Sequence, residues 1–176
     1  ESEIVVGKEA VKAISTAAAQ VAECAKRDLG NRMYEKVLGG RQYPPEALEA
    51  WVLNKLRIDA EHQIGAFDKV VITVPAYFDE VRRKATQDAG YMAGFDVMDI
   101  INEPTAAAIA FGFQQGGEHA IAAADGMCRI LVYDLGGGTF DVTVMEISRD
   151  QFVTLATDGD VRLGGRDWDQ RLVDYV

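Results

Sequence analysis

Three consecutive glycines, Gly136, Gly137 and Gly138, separate two stretches in which apolar residues alternate as they do in β-strands. Glycine has no Cβ, so the backbone of such a turn can fold tightly and lie close to a ligand. The turn leads into a second strand and no lysine follows it, whereas a Walker A loop and a Rossmann dinucleotide fingerprint both open a helix. Both of those phosphate sites are therefore excluded, and the pattern predicts a β-meander. The predicted elements are strands at 129–133, 140–144 and 152–157, a turn at 158–160 and a helix at 167–176.

The residues around this turn are suited to an anion that carries a metal ion. Several N–H groups directed inward from a glycine turn form an anion cradle, and Thr139 adds a hydroxyl donor. Asp134 and Asp141 flank the turn, where their carboxylates would repel a bare phosphate but suit one that carries a divalent cation. A glycine-rich hairpin with incidental acidic neighbours is the alternative interpretation.

The middle of the chain predicts a βαβ unit. Residues 70–74 are apolar on both faces, which favours a strand inside a sheet that helices cover. Asp79 is a candidate N-cap for a helix that ends at Gly94, and residues 97–101 form a second short strand. Pro104 then starts an Ala-rich helix.

Glu103 stands where the second of these strands meets the next helix. The proline that follows biases Glu103 toward an extended conformation. Its carboxylate would then project at the mouth of an α/β crevice, where open sheets bind ligands. The alternative is an acidic residue that only complements the helix dipole.

The N-terminal third is predicted to be mainly helical. Residues 4–6 have strand character, and the three-or-four spacing of apolar residues over 8–29 predicts one amphipathic helix. A second helix is predicted over residues 44–65, opened by two prolines. Residues 114–128 form the predicted boundary between subdomains.

Charge and composition argue against two classes of partner. The chain has 176 residues and a net charge of −10, which disfavours binding to nucleic acid. No window approaches the ~20 apolar residues of a membrane span.

Cys24 and Cys128 fit neither a metal spacing nor a disulfide framework, so a reducing, cytoplasmic location is expected. The sequence starts without Met or an apolar leader, and we expect it to be a piece of a longer protein.

Four strings, in the same order, resemble those of the seventy-kilodalton heat-shock chaperones of the DnaK type. They are VITVPAYF at 71–78, INEPTAAA at 101–108, YDLGGGTFD at 133–141 and LGGRDWD at 163–169. The resemblance implies part of an ATPase domain with the actin-like (ribonuclease H-like) α/β fold, in which two lobes surround a nucleotide cleft. It covers most of lobe I and the start of lobe II. The implied subdomains are the periphery of lobe I at 1–43, its core at 44–120, the core of lobe II at 121–163 and the start of its periphery at 164–176.

The resemblance also implies roles around a bound nucleotide. Gly136, Gly137, Gly138 and Thr139 match the second phosphate-binding hairpin of the family, and Asp134 matches the aspartate near magnesium.

Further roles are implied for residues outside the turn. Asp141 matches the acid that orders the attacking water, and Glu103 matches the carboxylate linked to the metal through its water shell. Lys26 matches the catalytic lysine that contacts the γ-phosphate. Pro75 and Arg83 match residues that relay the nucleotide state to the peptide-binding domain. The family also breaks the first helix near residues 14–20, contrary to the periodicity.

The implied cofactors are ATP or ADP with Mg²⁺, with K⁺ as a further candidate cation. The implied partners are unfolded polypeptides, bound through a C-terminal domain that this chain lacks, a J-domain co-chaperone and a nucleotide-exchange factor, with neither nucleic acid nor membrane. The parent would hydrolyse Mg-ATP to control binding and release of polypeptide, and the 176-residue chain alone is expected to be inactive. Two alternatives stay open: an actin-like sugar or acetate kinase and a non-catalytic interaction module.

Overall fold

The computed structural model describes residues 4–114, 127–148 and 151–176, and its contacts divide the chain into two units. The first unit comprises Glu1–Ile72 with Asp79–Ile100, and the second comprises Thr73–Phe78 with Ile101–Val176. The boundary predicted at 114–128 falls mostly outside the described residues, and the four subdomains stay a prediction.

Three α-helices of the described residues lie in the first unit. They are α1 (Lys8–Ala17), α2 (Pro45–Ile64) and α3 (Glu80–Met92). Two 3-10 turns, Ala18–Gln20 and Ala25–Asp28, follow α1. Helices α2 and α3 pack against each other, and α2 also packs against the second 3-10 turn. The helix predicted over residues 44–65 is therefore confirmed.

Strands β1 (Lys69–Val74) and β2 (Asp96–Asn102) pair in a two-stranded sheet, and α3 connects them. The predicted βαβ order is confirmed. Asp79 caps α3 as predicted, because its carboxylate accepts a hydrogen bond from the Arg82 amide at 2.9 Å.

The segment after α1 does not form the continuous helix that periodicity predicts over residues 8–29. Helix α1 ends at Ala17, Val21 is extended, and Cys24 has a left-handed backbone with φ 53°. The break near residues 14–20 that the family resemblance implies is confirmed. Among the apolar residues of that spacing, Val21 and Leu29 are buried, whereas Val11 is 62% exposed. The predicted continuous helix was wrong because side chains from a later segment bind the backbone here. Helix propensity within residues 8–29 does not take those contacts into account.

Residues 4–6 form no strand, contrary to the prediction. Ile4 is 54% exposed and Val5 is 52% exposed. β-Branched residues form a strand only where a neighbouring strand supplies hydrogen bonds, and none of the five described strands pairs with them.

The second unit is a meander with one helix on each side of it in the chain. Its elements are α4 (Glu103–Gln114), β3 (Met127–Leu135), β4 (Phe140–Ser148), β5 (Phe152–Asp160) and α5 (Gly165–Tyr175). The strands pair antiparallel in the order β3-β4-β5, so the predicted meander and final helix are confirmed. The core of this unit forms where α4 covers the sheet, with Ala108, Met145 and Ile147 buried together.

Residues 158–160 are the end of β5 and not the predicted turn. Gly159 pairs with Asp141 of β4. A Cβ on Gly159 would lie 2.4 Å from the carbonyl oxygen of Phe140 and 3.2 Å from Cε1 of Tyr77. Glycine is needed here because two other segments come close to the backbone. In the sequence, a glycine with this role looks the same as a glycine in a turn.

We predict that Gly159→Ala destabilises the second unit by about 1–3 kcal/mol, the usual cost of forcing atoms into a packed site. The matched control is Gly137→Ala, where a Cβ would meet no atom within 4 Å. Urea unfolding of the chain measures both. Equal midpoints for the two variants would contradict the packing explanation.

Candidate functional site

The glycine turn is a hairpin loop of fixed geometry. Asp134 and Leu135 of β3 pair with Asp141 and Phe140 of β4. The Gly136 amide donates to the Thr139 carbonyl at 2.9 Å, which closes the loop.

The N-terminus of α5 binds the outer side of this loop. The Gly165 amide donates to the Gly136 carbonyl at 3.0 Å, and the Arg166 amide donates to the Gly137 carbonyl at 3.1 Å. No side chain caps α5, so the hairpin carbonyls take over the amides that a helix start leaves without intrahelical partners. A Cβ on Gly164 would lie 2.6 Å from the Gly137 carbonyl and from the Gly138 nitrogen. The contact therefore requires glycine at 164.

This docking sets the direction of the loop amides. In a trans peptide the C=O of one residue and the N–H of the next point in opposite directions, and no described peptide bond is cis. Because the carbonyls of Gly136 and Gly137 point toward α5, the amides of Gly137 and Gly138 point away from it. Two successive amides on one side of a loop form a cradle for an anion.

Asp134 and Asp141 face each other beside the loop. They are direct partners across the antiparallel pair, and partners in such a pair share one face of the sheet. Asp141 is only 2% exposed. Two carboxylates placed opposite each other are unfavourable without a compensating positive charge. The pair therefore suits a cation beside the anion cradle.

The donor set fits magnesium together with phosphate. Among the described residues, no group of three or more His, Cys, Asp and Glu side chains is placed to hold a metal. Mg²⁺ does not need such a group, because it commonly takes one or two carboxylates and completes its shell with phosphate oxygens and water. Asp134 carries hard oxygen donors of that kind.

Glu103 belongs to the same unit and begins α4 directly after β2, as the predicted strand-to-helix junction requires. Its predicted extended conformation is wrong, because Glu103 is already the first helical residue. Proline is tolerated in the first helical turn, where its missing N–H would have no intrahelical partner, so Pro104 does not delay the helix.

The loop after β1 also reaches this unit. Pro75 is fully buried, its carbonyl accepts the Phe78 amide at 3.1 Å, and Tyr77 lies against β5 at Gly159. Gly159 is the residue paired with Asp141. The loop that begins at Pro75 therefore contacts, through Tyr77, the residue paired with the hairpin aspartate.

Lys26 and Arg83 lie in the first unit. Lys26 is partly exposed in the 3-10 turn Ala25–Asp28, which the Arg27 amide closes by donating to the Cys24 carbonyl at 2.9 Å. Arg83 lies in the first turn of α3, where its amide donates to the Asp79 carbonyl at 3.0 Å. The structure thus gathers the other predicted site residues in the second unit: Pro75, Glu103, Asp134, Gly136, Gly137, Gly138, Thr139 and Asp141.

Sequence reasoning missed Glu49. This carboxyl lies on α2, beside the buried Leu48, and α2 packs against the turn that contains Lys26. Burial raises the pKa of Glu49 above its usual value, and the positive charge of Lys26 opposes that rise. An acidic residue within the apolar stretch 47–53 was the only sequence signal.

Sequence reasoning also missed a pair of threonines. Thr143 is fully buried two residues after Asp141, and its hydroxyl forms a 2.9 Å hydrogen bond with the hydroxyl of Thr157 on β5. This bond ties the middle strand to β5 next to the hairpin.

The family model described as Hsp70 protein matches residues 5–176. The chain therefore belongs to the Hsp70 family, which has the actin-like ATPase fold, and both the predicted family and the predicted fold class are confirmed.

Three curated relatives are named chaperone protein DnaK. The chain is 42% identical over 175 residues to the one from Thermosipho melanesiensis, covering 99% of this chain and 28% of the relative. It is 43% identical over 177 residues to the one from Nitrosopumilus maritimus, covering 100% and 26%. A third, from Thermosipho africanus, is 42% identical over 175 residues. The chain thus spans about a quarter of the length of these relatives. In the part of the chain that the structure describes, no helix has the length and apolar character to cross a membrane.

We predict that Gly164→Ala weakens binding of Mg-ATP in a full-length chaperone that carries this segment. The new Cβ would displace the loop at Gly137 and Gly138, and losing one charge-assisted hydrogen bond costs about tenfold in affinity. Gly165→Ala is the control, since a Cβ there would meet its nearest atom at 3.9 Å. Calorimetric titration measures both, and equal affinities would contradict the role of the α5 contact.

We predict that Glu49→Gln raises the thermal unfolding midpoint at pH 7. A carboxyl whose pKa is raised in the folded state binds its proton more tightly than in the unfolded state. Stability therefore falls as pH rises through the interval between the two pKa values. Glutamine carries no charge and therefore removes the loss of stability that ionisation of Glu49 causes. The rise in the unfolding midpoint should vanish in acid, where Glu49 is neutral in both the folded and the unfolded state. The control is Glu46→Gln, in the first turn of α2, which should give no gain because the acid there complements the helix dipole.

Proposed function

We propose that this chain supplies the phosphate hairpin and the catalytic lysine of a chaperone that hydrolyses Mg-ATP. The observation that carries the proposal is the docking of α5 on the hairpin, which aims the amides of Gly137 and Gly138 away from the helix. Membership of the Hsp70 family supports it. The DnaK relatives favour a chaperone over a sugar or acetate kinase and over a non-catalytic module.

The proposed roles follow the chemistry of each group. The loop amides and the Thr139 hydroxyl would hold the phosphates, and preorganised donors of this kind stabilise charge on a transferring phosphoryl group. Asp134, with Glu103 through water, would hold Mg²⁺, which neutralises charge on the phosphate oxygens. Asp141 would accept a hydrogen bond from the attacking water and orient it. K⁺ is a further candidate cation.

Lys26 would bring a positive charge to the γ-phosphate. A lysine ammonium suits this task because it is a compact charge with three donors. Pro75 and Arg83 would relay the nucleotide state to a peptide-binding domain. The connection from Asp141 through Gly159 to the loop after Pro75 supports the first of these relays.

The proposed biological partners are those that the resemblance to the chaperone family implies. Unfolded polypeptides would bind outside this segment, and a J-domain co-chaperone and a nucleotide-exchange factor would act on the cycle in the cytoplasm. Within the described residues neither Cys24 nor Cys128 forms a disulfide, which is compatible with a reducing compartment.

The test replaces Lys26 by Ala in the full-length chaperone. Hydrolysis should be abolished while ATP still binds, because the lysine acts on the transition state and the hairpin holds the phosphates. Single-turnover hydrolysis and nucleotide titration measure the two quantities. The 176-residue chain alone is the companion sample and should show no turnover, since one hairpin does not enclose a nucleotide. Unchanged hydrolysis in Lys26→Ala would refute the assigned role, and turnover by the isolated chain would refute its inactivity.

A further inference from the structure

The segment ahead of Lys26 is held by residues that follow it in the chain. Tyr34 is 2% exposed, and its hydroxyl forms two hydrogen bonds with one residue, Glu23. It donates to the Glu23 carbonyl at 2.9 Å and accepts from the Glu23 amide at 2.9 Å. One buried side chain therefore satisfies both backbone groups of Glu23.

Two neighbours of Tyr34 extend this contact. The Lys36 ammonium donates to the carbonyl of Val21 at 3.1 Å and lies 3.5 Å from the Glu23 carboxylate. The Gly39 amide donates to the Gln20 side chain at 2.7 Å. We call residues 34–39 the clamp. A hydrogen-bonded turn in which Leu38 and Arg41 exchange backbone bonds closes its far end.

The clamp acts at the start of the turn that carries Lys26. Glu23 is followed by Cys24, in its left-handed conformation, and then by the 3-10 turn Ala25–Asp28. Ala25 packs against the cluster that contains Tyr34 and Leu48. The backbone on the other side of Lys26 is anchored by Leu29, which is 3% exposed. The lysine backbone is thus fixed on both sides, by hydrogen bonds ahead of it and by burial after it.

We propose that Tyr34 is a positioning residue for Lys26, acting through its hydroxyl contacts with Glu23. The inference rests on the proposed role of Lys26 in phosphoryl transfer. A lysine side chain has four rotatable bonds, so its ammonium is well placed only if its backbone is. Charge stabilisation of a transferring phosphoryl group depends on such placement, and a displacement of about 1 Å can cost about a hundredfold in rate.

The test compares two tyrosines of the same cluster in the full-length chaperone. Tyr34→Phe removes the two hydroxyl contacts and keeps the buried ring. Tyr43→Phe is the matched control: Tyr43 packs in the same cluster and against Trp51, and within the described residues its hydroxyl makes no hydrogen bond. Tyr34→Phe should lower single-turnover hydrolysis about tenfold while the affinity for Mg-ATP stays within about twofold. Tyr43→Phe should leave both quantities unchanged.

A second readout separates positioning from stability. The Arg27 amide, which donates to the Cys24 carbonyl, should exchange with solvent faster in Tyr34→Phe and not in Tyr43→Phe. Incorporation of 4-aminophenylalanine at position 34 restores a donor to the Glu23 carbonyl and should recover part of the rate. If Tyr34→Phe fails to fold, Lys36→Met removes the neighbouring clamp contacts, and it should show the same fall in rate at unchanged affinity.

The outcomes distinguish the two proposals. Hydrolysis that is abolished by Lys26→Ala but unchanged by Tyr34→Phe overturns the positioning role alone. Hydrolysis that survives Lys26→Ala overturns the proposed function. Equal losses in Tyr34→Phe and Tyr43→Phe, or a loss that follows the unfolding midpoint, overturn positioning in favour of a structural role for the ring.

Discussion

The candidate site in the second unit depends on two backbone hydrogen bonds between the N-terminus of α5 and the carbonyls of Gly136 and Gly137. These bonds satisfy both partners, since the helix start has no side-chain cap and the loop carbonyls lie outside the strand pairs of the described sheet. They also decide which way the loop amides point. The helix start and the anion cradle therefore share two peptide groups, those that follow Gly136 and Gly137, and neither can change without the other.

The carboxylates beside the loop give this arrangement its chemical character. A cradle of amides attracts any anion, but Asp134 opposite the buried Asp141 makes the surroundings unfavourable for an anion that arrives without a cation. Such a site favours a metal-bound phosphate in two ways: the amides attract the anion, and the carboxylates make binding of a metal-free anion unfavourable. The hydrogen bond between Thr143 of β4 and Thr157 of β5 holds these two strands together next to Asp141.

Sequence patterns predicted the parts of the fold that local rules govern. The alternation along β3 and β4 fixed the meander, and Asp79 and Gly94 bounded α3 as a cap and a stop. The same rules failed where contacts between segments that are distant in sequence determine the local structure.

Two cases show the physical reason for these failures. The Ala-rich residues 18–28 are compatible with a helix, and only the hydroxyl of Tyr34 and the ammonium of Lys36 make another path more favourable. Gly159 has the sequence context of a turn, and only the approach of Phe140 and Tyr77 shows that it belongs to a strand. The aspartates and glycines of the site were predicted because they are adjacent in sequence, whereas Glu49 was missed because its relation to Lys26 exists only in three dimensions.

The strand order β3-β4-β5 has a consequence for handling the chain. Both outer strands are edges within the described sheet, and all nine residues of β5 are exposed. An exposed edge offers backbone donors and acceptors to a second copy, which is how sheets begin to aggregate. The net charge of −10 opposes that approach, but only at distances that salt does not screen. Concentrated solutions of the chain should therefore keep best at low ionic strength, where repulsion between copies acts over the longest range.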